Sequence, residues 1–265
     1  MMESVSDPWK AGQPYEYFMG RWSRIIGRAF IQWLSPPPGL SWLDVGCGTG
    51  ALSQTILSQA APTSVLAIDP SDAFIAFGKH TTADARLTFQ VGDALNLPAD
   101  IQGLQMVVSG LVLNFIAEPV TALRAMRSAL QSDGIAALYV WDYAGRMEML
   151  RYFWDSAAAL DPSARALDEG VRFPICRPEA LIQVCTEAGL HHVEVKSLEV
   201  SQEFADFADY WSPFLGGQGP APGYVAGLEE TDRRALEGHL RTALPLRDDG
   251  SFSLVARAWA VRATV

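Results

Sequence analysis

The stretch Ser41 to Ser53, SWLDVGCGTGALS, places Gly46, Gly48 and Gly50 at alternate positions behind an apolar run that ends in an acid. A strand turning tightly into a helix has this form. Glycine accepts the backbone angles of such a turn and lets a ligand approach the main chain. The helix that follows presents its N-terminal amides and the positive end of its dipole. Gly46, Gly48 and Ala51 also satisfy a loose G-x-G-x-x-A spacing. By itself the turn admits a dinucleotide, a sulfonium cofactor or no ligand at all.

The surrounding pattern supplies a context. Apolar runs at Ser41 to Val45, Val65 to Ile68, Leu87 to Val91, Gln105 to Ser109 and Ile135 to Val140 read as strands. Helical patterns lie between them at Thr49 to Ala60, after Asp69, and at Pro119 to Leu130. Such alternation predicts a mostly parallel sheet with helices on both faces. Upstream, the near-helical spacing of Phe18, Trp22, Ile25, Ile26, Ala29, Phe30 and Trp33 predicts a helix or helix pair that SPPPG (Ser35 to Gly39) stops. Downstream, a helix opens at Pro178 and stops at Gly189, and strands follow at His192 to Val200 and Phe252 to Val261. The predicted organisation is an N-terminal helical segment (1–40), an α/β core (41–143), an insertion (144–177), a core helix and strand (178–200), a second insertion (201–250) and a final core strand (251–265).

Two acids continue the rim that the glycine turn begins. Asp69 ends the second strand, 23 residues after Gly46, where a carboxylate can accept both ribose hydroxyl protons. Asp93 ends the third strand in VGDALNLP, where a carboxylate followed by a backbone amide could meet an adenine edge. Three consecutive strand ends then project to the rim at which open α/β sheets bind ligands.

Composition excludes several other classes. The net charge is −10, which argues against a nucleic-acid partner. The longest nearly uncharged apolar stretch, Met106 to Ala117, has 12 residues against the ~20 that a membrane span needs. MMESVSDPWK lacks the basic-then-apolar order of a secretion signal, and Cys47, Cys176 and Cys185 form no CxxC pair. A cytoplasmic location is expected. Four scattered histidines and the absence of a Cys/His cluster predict no metal.

LDVGCGTG, AIDPS and VGDALNLP resemble three cofactor motifs of the class I S-adenosylmethionine-dependent methyltransferases. The similarity is to the small-molecule branch that includes the ubiquinone and menaquinone methyltransferases. It covers roughly Tyr15 to Tyr143 together with the final strand and the helix before it. The resemblance implies a Rossmann-like α/β fold: a seven-stranded sheet with an antiparallel last strand and helical cap insertions. It implies S-adenosylmethionine as cofactor, S-adenosylhomocysteine as product and a small-molecule methyl acceptor. Carried over by position, Gly46 and Gly48 pass the methionine part and sugar, with Cys47 between them. Asp44 supports the turn, or the ligand's ammonium group through a network. Asp69 takes the ribose hydroxyls and Pro70 packs near the adenine. Asp93 and Ala94 address the adenine edge, and Ser109, Gly110 and Leu111 border the methionine part and methyl group. The N-terminal helix of related enzymes often closes over the cofactor, so Tyr15 and Arg21 are candidates for its carboxylate. Where the family often shows a histidine or another aromatic beyond the fourth strand, this chain has Asn114 and Phe115.

The acceptor side is assigned to Asn114, Trp141, Tyr143, Trp154, Trp211, Phe214, Gly217 and Gln218, mostly in or beside the two insertions. Their rings would serve equally as the core of a small helical cap. FLGGQGPAPGY (Phe214 to Tyr224) reads as a constrained loop lining the pocket. None of His80, His191, His192 and His239 is placed as a base. Asp142 and Tyr143, at the end of the fifth strand, are better placed. Two alternatives stay open: a nicotinamide-dependent oxidoreductase, which would use the same glycines and Asp69, and a non-catalytic S-adenosylmethionine-binding protein.

Overall fold

The computed structural model describes residues 16–216 and 219–265. Its strands are β1 (Ser41–Val45), β2 (Ser64–Asp69), β3 (Leu87–Val91), β4 (Leu104–Gly110), β5 (Leu130–Trp141), β6 (His191–Phe204) and β7 (Phe252–Thr264). They form one seven-stranded sheet in the order β3-β2-β1-β4-β5-β7-β6. The first five pair in parallel, and β7 runs antiparallel to β5, with Ile135 opposite Thr264 and Trp141 opposite Ala258. The Rossmann-like topology with its reversed last strand is the one the sequence predicts.

Burial explains the strand sequences. β1 and β4 are covered on both faces, so Trp42, Leu43, Val107 and Val108 follow one another without polar alternation. In β7 every second residue from Phe252 to Ala260 is buried, the period-two pattern of a strand with one covered face. The helices follow equally local rules. α1 (Arg21–Leu34) buries Trp22, Ile26, Phe30 and Leu34 along one stripe, and the Phe30 ring lies 4.6 Å from Tyr139. α2 (Ala51–Gln59) follows the glycine turn. α3 (Asp72–Thr81) is capped by the Ser71 hydroxyl, which accepts from the Phe74 amide. α4 (Pro119–Ala129) begins on a proline, where the missing N–H leaves no bond unmade.

Beyond β5 lie α5 (Glu148–Leu160), the short α6 (Glu169–Arg172), α7 (Pro178–Glu187), α8 (Phe207–Trp211), α9 (Pro220–Gly227) and α10 (Glu230–Ala243). α7 ends in a two-bond cap, Gly189 N–H to Thr186 O and Leu190 N–H to Cys185 O. The chain divides into two compact units. The sheet unit holds Trp22–Trp141, Ile175–Glu199 and Ala258–Val265. The aromatic unit holds Asp142–Pro174 and Val200–Arg257 together with the described residues before Trp22. The division therefore falls inside the predicted 1–40 segment, and most of α1 belongs with the sheet.

The aromatic unit is built on ring packing. Phe153 stacks on Phe214 with centroids 4.6 Å apart and meets Trp154 edge-on at 4.9 Å. Phe204 stacks on Phe252 at 4.9 Å. FLGGQGPAPGY is not simply a loop: Ser212–Gly216 forms a 3-10 turn and α9 starts at Pro220. The sequence's glycines and prolines suggested a loop, but proline in a first helical turn favours the helix. Likewise β6 continues to Phe204, past the predicted end at Val200.

Candidate functional site

The strand order reverses between β1 and β4, and a crevice at such a switch point is where open α/β sheets take ligands. β1 carries Asp44 to that point. Its side chain is fully buried, and Oδ2 accepts from the Ser53 hydroxyl at 2.6 Å. Oδ1 has no partner. Burial pushes the carboxyl up to about 7, against the Ser53 hydrogen bonds and with the help of the nearby Asp69 charge. Asp44 thus holds the first turn of α2 and keeps one oxygen in reserve.

The glycine turn is shaped by its neighbours. Gly46 has φ +72°, and a Cβ there would lie 2.6 Å from a methyl of Val112. Any side chain at this position meets both backbone strain and a clash. A Cβ on Gly48, φ +55°, would meet nothing within 4 Å, so that face of the turn is open. The amides of Gly46 and Cys47 both donate to Ile68 O. The turn consequently offers close approach rather than free donors at these two positions. The Cys47 side chain packs with Ala67, Ile75 and Phe89, and burial raises its thiol far above the usual range. Its side chain belongs to the core.

At the end of β2, Asp69 ties the rim together. Oδ2 accepts from Gly48 N–H at 2.9 Å and Oδ1 from Ser71 N–H at 2.9 Å. Burial raises its pKa against those two bonds. Each carboxylate oxygen has two acceptor positions, so Asp69 retains capacity for hydroxyl donors. Asp93 is exposed and accepts from the Leu95 amide at 2.9 Å, in a tight turn beside half-buried Ala94. Pro70 is exposed.

From β4, the Ser109 hydroxyl donates to Val45 O at 2.8 Å and so bolts β4 to β1. Gly110 pairs with Tyr139 of β5, and Leu111 follows at φ +63°, its amide bonded to Tyr139 O. A leucine in this region is strained, a state found most often at ligand sites. Asn114, in the 3-10 turn Leu113–Phe115, is 8% exposed, and neither its amide nitrogen nor its amide oxygen has a partner. Buried polar atoms are normally satisfied. A spare carboxylate oxygen on Asp44 of β1 and a whole spare amide on Asn114, in the 3-10 turn after β4, fit a ligand with an ammonium group and further polar atoms.

Other expected residues have different partners. Arg21 donates to both carboxylate oxygens of Asp209, at 2.9 and 3.2 Å, and to Glu203 O at 2.7 Å, with its guanidinium over Phe204. The sequence expectation for a cofactor carboxylate did not include this long-range pairing. Asp142 accepts from Arg257 Nε at 2.7 Å and from the Arg146 amide at 2.9 Å, a tie between two distant segments of the chain. Trp141 and Tyr143 are buried, and the Tyr143 ring lies 5.6 Å from Phe173. Trp211 and Phe214 line a groove of about 500 Å³ with Leu215, Val225, Arg233 and Glu237. Tyr15, Gly217 and Gln218 lie outside the described residues.

One buried acid drew no expectation from the sequence. Glu169 is 4% exposed, and its Oε2 accepts from the Trp154 indole N–H. Its neighbour Asp168 accepts from Arg151 and from the Gly170 amide. The sequence signal was an acidic pair followed by glycine, DEG, between two aromatic stretches. Among the described residues no His/Cys/Asp/Glu group is arranged to hold a metal, and no helix is long and apolar enough to cross a membrane.

Residues 43–134 match the family model of the methyltransferase domain. The ubiquinone/menaquinone biosynthesis C-methyltransferase of Cereibacter sphaeroides is 37% identical over 80 residues, 28% of this chain and 32% of that protein. The chain thus matches about a third of the length of that curated relative. Among solved structures, phosphoethanolamine N-methyltransferase 2 of Haemonchus contortus, with S-adenosylhomocysteine bound, aligns with a TM-score of 0.59 at 16% identity. That alignment covers 95% of this chain and 56% of the other. The cyclase SpnF aligns with a TM-score of 0.51 at 16% identity over 98% of this chain and 84% of its own. These structural likenesses show the fold.

Proposed function

We propose that this chain, whose residues 43–134 match the family model of a methyltransferase domain, is a class I S-adenosylmethionine-dependent methyltransferase that methylates a small molecule and releases S-adenosylhomocysteine. The observation that carries the proposal is the pair of unsatisfied side chains, Asp44 and Asn114, flanking the switch point beside the open glycine turn. Asp69 would take the ribose hydroxyls, and Asp93 with Ala94 the adenine edge. Gly46 and Gly48 let the backbone approach the sugar and methionine part, and the spare Asp44 oxygen suits the ammonium group. When bound, the cofactor supplies a methyl group already activated by its sulfonium. The chain's own work is then to align the acceptor and keep water out.

An acceptor of small-molecule size agrees with the net charge of −10, which disfavours nucleic acid, and with the quinone-methylating relative. The ring-rich aromatic unit, with Tyr143, Trp154, Trp211 and Phe214, is the proposed source of acceptor selectivity. Fold alone does not decide the reaction, since the cyclase SpnF shares it. Transfer of labelled methyl from S-adenosylmethionine into a metabolite extract is the test. A labelled small-molecule product is expected. Reproducible cofactor binding with no labelled product in any extract would instead identify a binding protein.

A further inference from the structure

We propose that β6 is a dimer edge: two copies of this chain pair their β6 strands antiparallel about a two-fold axis at Val195. The contact uses residues 191–199 of β6, which belong to the sheet unit. It stands independently of the methyl-transfer function proposed above.

β3 and β6 are the two ends of the sheet. An edge strand presents a row of main-chain donors and acceptors to any strand that reaches it, and proteins blunt such edges by keeping them short or by adding proline. β3 is short, with 5 residues. β6 has 14 residues, HHVEVKSLEVSQEF, and no proline. The direction of its backbone groups follows from β7. Asp142 N–H donates to Arg257 O in continuation of the β5–β7 register, so Arg257 and every second residue after it turn their backbone groups toward β5. Arg262, on the other set, turns toward β6. Its guanidinium meets the Glu194 carboxylate at 2.6 Å, which puts the two side chains on one face of the sheet and turns the Glu194 backbone toward β7. By alternation the outward row is His191, Val193, Val195, Ser197 and Glu199. Among the described residues, the N–H and C=O groups of Val193, Val195 and Ser197 have no strand beyond them.

Charge selects the partner and the register. A two-fold axis at Val195 sets the outward rows of two identical strands against each other. It places Glu194 opposite the second copy's Lys196, and Lys196 opposite the second copy's Glu194. His191 falls opposite Glu199 in the same way. All four residues are exposed, so their charged ends can meet without disturbing the core. Opposite charges directly across a strand pair stabilise it, and like charges weaken it. Arg262 holds Glu194 from the β7 side, which extends each Glu194–Lys196 pair into a three-charge network. Moving the axis by one residue keeps the backbone rows facing but sets Glu194 against Glu194, or Lys196 against Lys196. Charges that discourage an unrelated strand at this edge are therefore ordered to accept a second copy of β6.

Analytical ultracentrifugation of the full chain over a concentration series is the test. The wild type should pass from the mass of one chain, 28.8 kDa, to twice that mass and no further. Glu194→Lys and Lys196→Glu should each weaken self-association by about tenfold or more. Mixing the two variants should restore association as a heterodimer, because each reversed charge then finds its opposite on the other chain. Ser197→Pro removes an outward N–H and no bond to β7, so it should prevent dimerisation while leaving the sheet intact. Each variant should keep the wild-type circular dichroism spectrum, which separates a lost contact from a lost fold. A wild type that stays at the mass of one chain at every concentration up to about 0.1 mM overturns the proposal. A dimer that survives both charge reversals and Ser197→Pro overturns it too, as does a mixture of the two folded, reversed chains that stays monomeric.

Discussion

In the sheet unit, polar side chains beside the β1–β4 crevice keep spare bonding capacity; in the aromatic unit, comparable groups are mostly spent on one another. Asp44 Oδ1 and both amide atoms of Asn114 have no partner. By contrast Asp142 is filled by Arg257 and the Arg146 amide, Asp209 by Arg21, and Asp168 by Arg151 and Gly170. Gln202 and Arg151 depart from this contrast: Gln202 Oε1 and Arg151 Nε are buried without a partner, and Gln202 Nε2 makes only a 4.0 Å contact to the Met149 sulfur. The difference supports the proposed ligand site in the sheet unit, while the aromatic unit's polar groups mostly hold that unit together. A buried acceptor without a donor costs stability that a bound ligand can restore, whereas stacked rings and closed ion pairs are complete in the free protein.

Substitutions can break that contrast. The largest effect is expected for Phe214→Ala, since Phe214 is fully buried and stacked on Phe153. It should cost about 3–5 kcal/mol of unfolding free energy, read by denaturant titration, while surviving folded protein keeps its affinity for S-adenosylhomocysteine. An equal loss of that affinity would show that the two regions are not separable in this way. Gly46→Ala should cost about 2–4 kcal/mol, from a positive φ and the 2.6 Å approach to Val112, and cofactor binding should disappear with it. Asp69→Ala should weaken cofactor binding by about 1.5–3 kcal/mol in calorimetry; unchanged affinity would remove the ribose assignment.

The remaining effect is a slope, small per pH unit. The Asp44 carboxyl stands at about 7 in the folded chain against 3.8 for an unperturbed aspartate. Between those values the unfolded chain has lost the proton and the folded chain still holds it. Stability from this group is therefore fully present below pH 3.8 and falls as pH rises toward 7, by at most about 1.4 kcal/mol per pH unit. In the ligand-free protein Asp44→Asn should flatten that decline, as measured by unfolding at pH 5, 6 and 7. An unchanged slope would mean that Asp44 is ionised in the fold.

Much of the sheet unit was readable because its signals are local. Ser41 to Val45 and Leu87 to Val91 are strands with the bounds their apolar runs suggest, and Gly46 and Asp69 sit where a strand must turn. The aromatic unit resisted because its partners are distant in sequence. Arg21 and Asp209 are 188 positions apart, and Asp142 and Arg257 are 115 apart. Neither pairing leaves a mark in a local window, so the sequence reading directed Arg21 to a cofactor carboxylate and Asp142 to the substrate. Glu169 was passed over for the same reason: its burial and its bond to Trp154 are products of tertiary packing.

Binding at the glycine turn is the claim on which the rest depends, and calorimetric titration of the wild-type protein tests it. S-adenosylhomocysteine should bind saturably with one molecule per chain, displaced by S-adenosylmethionine, while NADH produces no heat of binding. Saturable binding of NADH with none of S-adenosylhomocysteine would contradict it.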